Sequence, residues 1–279
     1  MSSGSNIILQ FAQIPRGFSQ IFKIMPQKKS DSSTREIEIS SDLVYRGKYL
    51  NGYDLRAFLF LLGQLSAGRK VAKRLNAKHL DVVEMLDAKV SSSRKIVALA
   101  LEDWLAYTEI KKMLAFFGFE QKWSNGDVVG RSLTALENSY LRSKELGYEG
   151  RVIAMDYSRF WLVFNPVFSS LVEKNLPLTT VDLNVAKVLA RDVNKLVVYY
   201  ALCDKVGFGE SIRMDVESLF PLWYGNVKSK QVKSKRVHLI KETLDEICKL
   251  SNDFRITFYD RSYFSVRRVK NLRSQKFRI

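Results

Sequence analysis

A chain of 279 residues, 46% hydrophobic and with a formal net charge of +16, is long enough to bury two cores and too apolar to be disordered over most of its length. Two cysteines and two histidines exclude a disulfide framework and a histidine-rich metal centre. No run of 18 apolar residues reads as a membrane span and no secretory leader pattern is visible, so the expectation is a cytoplasmic protein that does not enter the membrane. The charge sits at the two ends: from Val227 onward 15 Lys and Arg face 5 Asp and Glu, and the first 35 residues hold 5 against 1. Such clustering is the electrostatic footprint of a nucleic-acid partner, with an anionic membrane surface as the lesser alternative.

In chain order, Ile7, Phe11, Ile14, Phe18, Ile21, Phe22 and Met25 follow largely helical spacing, broken at Pro15-Arg16-Gly17, and a polar stretch follows. Residues 1–35 therefore read as an N-terminal arm and linker. The arm either packs on its own domain, recruits a partner protein or touches lipid.

A first unit, residues 36–154, opens with a short strand at Ile37 and Ile39. Asn51 to Asp54 start a helix with Leu55, Phe58, Leu59, Leu62 and Leu65 on one face. A strand at Ile96 to Leu101 precedes a helix capped by Thr108 and carrying Ile110, Met113, Leu114 and Phe117. A second helix begins at Ser124 to Asp127 and runs through Val128, Leu133, Leu136 and Leu141, and a hairpin returns through Arg151 to Ala154.

The second unit, residues 155–279, repeats that order. Phe160 to Phe164 read as a strand, Asn165-Pro166 as the opening of a short helix, and Thr179 to Asp182 as the cap of one long helix reaching Leu202. Ser211 to Met214 form a β segment, and Asp215 to Phe220 a helical turn stopped by Pro221. After Trp223 to Asn226 comes a helix whose Val237, Ile240, Leu244, Ile247 and Cys248 make a buried stripe. Phe254 to Tyr259 and Tyr263 to Val269 alternate as a hairpin joined at Asp260 to Ser262.

The start of that last helix is its unusual part. Lys228, Lys230, Lys233, Lys235 and Arg236 crowd turns where the helix dipole favours acids, which points to a negative partner. Lys228, Lys230 and Lys233 suit phosphates, whereas Gln231, Ser234, Lys235 and Arg236 are candidates for base edges, Arg236 as a bidentate guanine contact. In the ribbon, Arg261, Arg267 and Arg268 are candidates for backbone or minor groove. In the first unit, Arg131 and Arg142 bracket the second helix and offer a lighter DNA contact, with a dimer interface as the alternative.

No catalytic constellation is legible, so no enzyme activity, cofactor or metal is expected. His79 and His238 stand alone as surface residues. Gly63 and Gly68 with Arg69 and Lys70 mimic a phosphate-binding loop, but the lysine is displaced, no Ser or Thr follows, and a helix precedes it. Gly207-Phe208-Gly209 reads as a helix stop, and Cys203 and Cys248 as small buried hydrophobes.

The run Tyr157 to Phe164, the helix through Leu202, and Ser211, Leu219, Trp223, Lys235-Arg236, Ile240 and Leu244 resemble the C-terminal winged helix of iteron-binding plasmid replication initiators of the RepC type. Asp54-Leu55-Arg56, Thr108 to Leu114 and Ser132 to Leu136 are more loosely similar to the first domain of that family. Lys233 and Ser234 depart from it, standing where an apolar residue and an arginine are common. The resemblance implies an α+β protein of two tandem winged-helix domains, each with a helix-turn-helix and a β-hairpin wing, behind the N-terminal arm. It implies an initiator that binds direct repeats in double-stranded DNA at a plasmid origin, helps open A·T-rich duplex and recruits host replication proteins such as a helicase or initiator. The first domain would then serve dimerisation or backbone contact. Two alternatives stand beside this: a transcriptional repressor, including one of its own gene, and a Mg²⁺-dependent nucleic-acid enzyme such as a primase.

Overall fold

The structure is a computed structural model and describes residues 11–24, 33–67, 72–76, 89–90, 95–100, 127–144, 148–156, 161–168, 178–223, 229–260 and 262–269. It is a mixed α+β fold. In order come β1 (Phe11–Pro15), a 3-10 turn (Phe18–Ile21), β2 (Phe22–Lys23), β3 (Arg35–Glu38), β4 (Leu43–Gly47) and β5 (Leu50–Asn51). Helix α1 (Gly52–Ala67), β6 (Ala72–Asn76), β7 (Lys89–Val90), β8 (Lys95–Ala100), α2 (Asp127–Glu137), β9 (Tyr140–Ser143), β10 (Tyr148–Arg151), β11 (Ile153–Asp156) and β12 (Trp161–Phe164) follow. After a 3-10 turn (Pro166–Phe168) lie β13 (Leu178–Asp182), α3 (Leu183–Leu189), α4 (Val193–Lys205), β14 (Ser211–Asp215), a 3-10 helix (Val216–Leu222), α5 (Lys230–Leu250), β15 (Phe254–Phe258) and β16 (Tyr263–Arg268).

Hydrogen bonding groups most strands into a sheet in the order β3-β4-β9-β10-β7, another in the order β11-β12-β8-β6, and a third in the order β14-β16-β15. The third sheet is antiparallel, with Ile212, Val266 and Ile256 in one row and Met214, Phe264 and Phe258 in the next. These apolar rows face the core and α5, and the alternate residues face solvent.

Residues 11–24 are built into the fold. Strand β1 pairs antiparallel with β13 from Phe11 opposite Asp182 to Pro15 opposite Leu178. Gly17 then turns the chain at φ 96°, a left-handed conformation that favours glycine. The turn aims Phe18 and Phe22 inward. The Phe18 and Phe58 rings stack at 6.0 Å, Phe58 meets Phe168 edge-on at 5.7 Å, and Phe22 meets Tyr200 at 5.7 Å. One aromatic cluster thus joins residues from the arm, α1, the 3-10 turn after β12, and α4. Ala12, Ile14, Phe18, Ile21, Phe22 and Ile24 are in the core, so these side chains pack on the chain's own fold and are not presented to a partner protein or to lipid.

Helix α1 starts as its sequence suggests. Asn51 Oδ1 accepts the N–H groups of Tyr53 and Asp54 at 2.8 and 3.2 Å, and Asp54 Oδ2 accepts the Asn51 N–H at 2.8 Å, a reciprocal capping arrangement. At Gly52 an added Cβ would lie 2.4 Å from the Val193 carbonyl, so the starts of α1 and α4 approach as only glycine allows.

Several elements differ from expectation for identifiable reasons. The long helix read from Leu183 to Leu202 is two helices, because the Asp192 side chain accepts from Asn194 N–H at 3.0 Å and starts α4 afresh. Asp182 caps α3 by accepting from Asn184 and Val185, but Thr179 and Thr180 before it lie in β13. Leu141 belongs to β9, not to α2, and the hairpin is β9 with β10. The 3-10 helix absorbs Pro221 and ends against Trp223. The helix expected after Thr108, and His79 and the Gly63–Lys70 side chains, lie outside what is described. No described helix is long and apolar enough to cross a membrane.

Candidate nucleic-acid interface

The start of α5 is held from one side and open on the other. Arg236, Ile240, Thr243, Leu244 and Ile247 are buried, which is the i, i+4, i+7 stripe of an amphipathic helix. Before that stripe engages, every residue from Ser229 to Lys235 is exposed. Lys230, Gln231, Lys233, Ser234 and Lys235 are therefore brought together as exposed side chains on the first turns of α5. At helical spacing the side opposite the stripe carries Gln231, Ser234, Lys235 and His238. His238 is one that sequence reasoning set aside, although its place three residues after Lys235 was the available signal. Its Nε2 lies 3.9 Å from the Glu242 carboxylate one turn on.

The electrostatics of this end are one-sided. The first turn has no acid, and the Ser229 side chain makes no capping hydrogen bond. Backbone N–H groups and lysines thus add positive potential at the same place. Lys233 is the exception, since its ammonium pairs with the Glu217 carboxylate of the preceding 3-10 helix. That helix is tied down in turn: Ile24 N–H donates to the Leu222 carbonyl at 2.7 Å and Lys23 Nζ donates to the Pro221 carbonyl at 2.5 Å. Burial, with the nearby Arg35 charge adding to it, pushes the Lys23 ammonium down to about 8. On the other flank Lys195 of α4 reaches Glu246 of α5 at 2.6 Å. The Glu246 hydrogen bond raises the Lys195 pKa.

Two expected contacts are corrected. Arg236 is only 8% exposed, with its guanidinium 5.3 Å from the Trp223 ring and 6.0 Å from Phe220. Its position four residues before Ile240 puts it on the buried stripe, where it anchors the helix instead of reading a guanine; desolvation lowers its pKa. Arg268 is 1% exposed. It donates to the carbonyls of Thr180 at 2.5 Å, Cys203 at 3.3 Å and Val206 at 3.5 Å, and stacks 3.9 Å over Phe208. It closes the orphan carbonyl end of α4 and is not a DNA contact.

Arg267, one residue away, points to solvent, and the same sheet face carries Arg213 and Arg255, both missed from sequence. The polar phase of the alternation in β14 and β15 would have found them. Arg142 lies on the five-stranded sheet, where it meets Glu36 at 2.7 Å while Arg46 meets Glu149 at 3.7 Å. That face is balanced in charge. Arg131 lies in α2, its side chain outside the described set, as are Lys228 and Arg261.

Among the described residues no cluster of three or more His, Cys, Asp or Glu could hold a metal ion. Cys203 and Cys248 are free, and burial pushes the Cys203 thiol up to about 11, which leaves it protonated and unreactive at neutral pH.

No known family profile matches the sequence, and no curated protein does. Among solved structures, the chain is similar to the selenomethionine crystal structure of domains 2 and 3 of RctB. The identity is 9% and the TM-score 0.46, over 91% of this chain and 97% of that one. At those values the likeness assigns nothing to this chain.

Proposed function

We propose that this chain is a sequence-specific double-stranded DNA-binding protein of the replication-initiator kind, made of two winged-helix units spanning residues 36–154 and 155–279. The observation that carries the reading is the start of α5. A helix is anchored by Arg236 and its apolar stripe, while Lys230, Gln231, Ser234 and Lys235 are exposed with no acid among them. Such an end can enter a major groove, the lysines neutralising phosphates and Gln231 and Ser234 reaching base edges. On this reading the 3-10 helix and α5 are the two helices of a helix-turn-helix, and β15 with β16 is the wing. On this reading the second unit binds direct repeats at a plasmid origin, and the first serves dimerisation. Opening of adjacent A·T-rich DNA and recruitment of a host helicase or initiator complete the role.

The test is fluorescence anisotropy with duplex taken from beside the protein's own gene, titrated against unrelated duplex over a salt series. Tight, salt-resistant preference for a fragment with direct repeats is expected. Preference for a palindrome over a promoter would make the protein a repressor instead. Equal, salt-sensitive binding of both duplexes would overturn the proposal.

A further inference from the structure

We infer that the solvent face of the β14-β16-β15 sheet is a second nucleic-acid surface, built to hold an unstacked single strand. It lies across the sheet from α5 and does not rest on the duplex reading above.

The register arranges this face in rows. Ser211, Arg267 and Arg255 form one row, Arg213, Ser265 and Thr257 the next, and Asp215 and Tyr263 the third. Tyr259 continues the third row, its N–H donating to the Tyr263 carbonyl at 3.0 Å. Arg255 and Arg267 are thus direct cross-strand neighbours, both exposed. A like-charge pair in that position is destabilising by itself, and an anion between the two guanidinium groups removes the penalty.

The other end of the face is aromatic. Tyr259 is 58% exposed and Tyr263 41%. The Arg213 guanidinium lies 5.0 Å from the Tyr259 ring and 5.3 Å from the Tyr263 ring, so one cation holds both rings in place. The two acids nearby are turned into the backbone. Asp215 Oδ1 accepts the Glu217 N–H at 2.8 Å, and Asp260 Oδ1 accepts those of Ser262 and Tyr263 at 2.6 and 2.8 Å.

Exposed rings beside arginines on a flat sheet fit unpaired bases. A duplex hides its π-faces inside the base stack, whereas a single strand offers a ring face at every base and a phosphate at every step. The opposite, apolar face of the same sheet packs toward α5, where Lys241 lies 5.6 Å from the Phe258 ring. Duplex on α5 and a single strand on the sheet can therefore be held together.

The experiment uses the full chain and a fluorescein-labelled oligo(dT) of about 15 nucleotides, a typical single-strand site size, with and without saturating duplex. The Tyr259→Ala/Tyr263→Ala pair is expected to weaken oligo(dT) binding by roughly 10- to 100-fold and to weaken duplex binding far less. The Tyr259→Phe/Tyr263→Phe pair keeps the rings and should keep the binding. Lys230→Gln/Lys235→Gln should leave oligo(dT) binding unchanged. Photo-cross-linking of the wild-type protein to iodouracil-substituted oligo(dT) should label the β15–β16 peptide. Wild-type protein that ignores oligo(dT), an alanine pair that weakens both ligands alike, or cross-links confined to α5 would overturn the inference. If oligo(dT) binding depends on the tyrosines while no duplex is preferred, this surface stands and the proposed function falls.

Discussion

The Asp204 carboxylate accepts the Gly17 N–H at 2.8 Å, tying α4 to a residue 187 positions away in the chain. The same carboxylate accepts the Ser19 N–H at 3.1 Å and the Thr179 hydroxyl at 2.9 Å. It therefore fastens the turn after β1 to both α4 and β13. Asp204→Ala leaves those donors without their acceptor and should cost about 3 kcal/mol, measured by urea unfolding. Removing Met1 to Ile24 takes out part of the aromatic cluster as well and should abolish cooperative unfolding. A truncated protein that still melts cooperatively would mean the arm is dispensable.

Arg267 and Arg268 are adjacent and should behave oppositely. Arg268→Ala strands the Thr180, Cys203 and Val206 carbonyls and should lower stability by about 3 kcal/mol. Arg267→Ala should leave stability within about 0.5 kcal/mol and weaken nucleic-acid binding. Denaturation midpoints of the two variants, measured side by side, decide this.

On α5 the lysines and Arg236 separate in the same way. Lys230→Gln and Lys235→Gln should each reduce the salt dependence of duplex binding by about 0.9 in log–log slope if each meets a phosphate. Arg236→Ala should cost on the order of 1–2 kcal/mol of stability through loss of its place against Trp223 and Phe220. Thermal melting checks the second, and anisotropy over a salt series the first.

Asp54 predicts a pH dependence. Burial is the main cause that raises its carboxyl to about 6, against the opposing hydrogen bonds from Asn51 and Ser132. Because the folded value lies above the unfolded one of about 3.9, the folded state binds more protons between them. This group's contribution therefore falls as pH rises from about 4 to 6, by on the order of 2–3 kcal/mol. Asp54→Asn should flatten that part of the stability–pH curve in urea titrations. An unchanged curve would show that the carboxyl is not the source.

The β15–β16 hairpin and the course of α5 are legible because each has one clean period: alternation from Phe254 to Phe258, and the three- and four-residue spacing of Ile240, Leu244 and Ile247. Strictly applied, the same periods also identify Arg268, in phase with Phe264 and Val266, and Arg236, four residues before Ile240, as inward-facing. Charge alone pulls both toward the surface. What local pattern could not supply is contact across the chain. The spacing of Phe11 to Phe22 suits a helix, but pairing with β13 and the Gly17–Asp204 bond select a strand and a turn. The split between α3 and α4 is legible only if Asp192 is taken as a cap instead of a surface acid.

The pairing of β1 with β13 also sets an order on folding. As the chain emerges during synthesis, Ala12, Ile14, Phe18 and Phe22 leave the ribosome long before the strand and helix that cover them. Closing so long a loop is slow relative to local helix and hairpin formation. Until then an apolar segment lies open to misassociation. Chains halted short of Lys205 should thus depend on chaperones for solubility, and completion of α4 is the step that releases them.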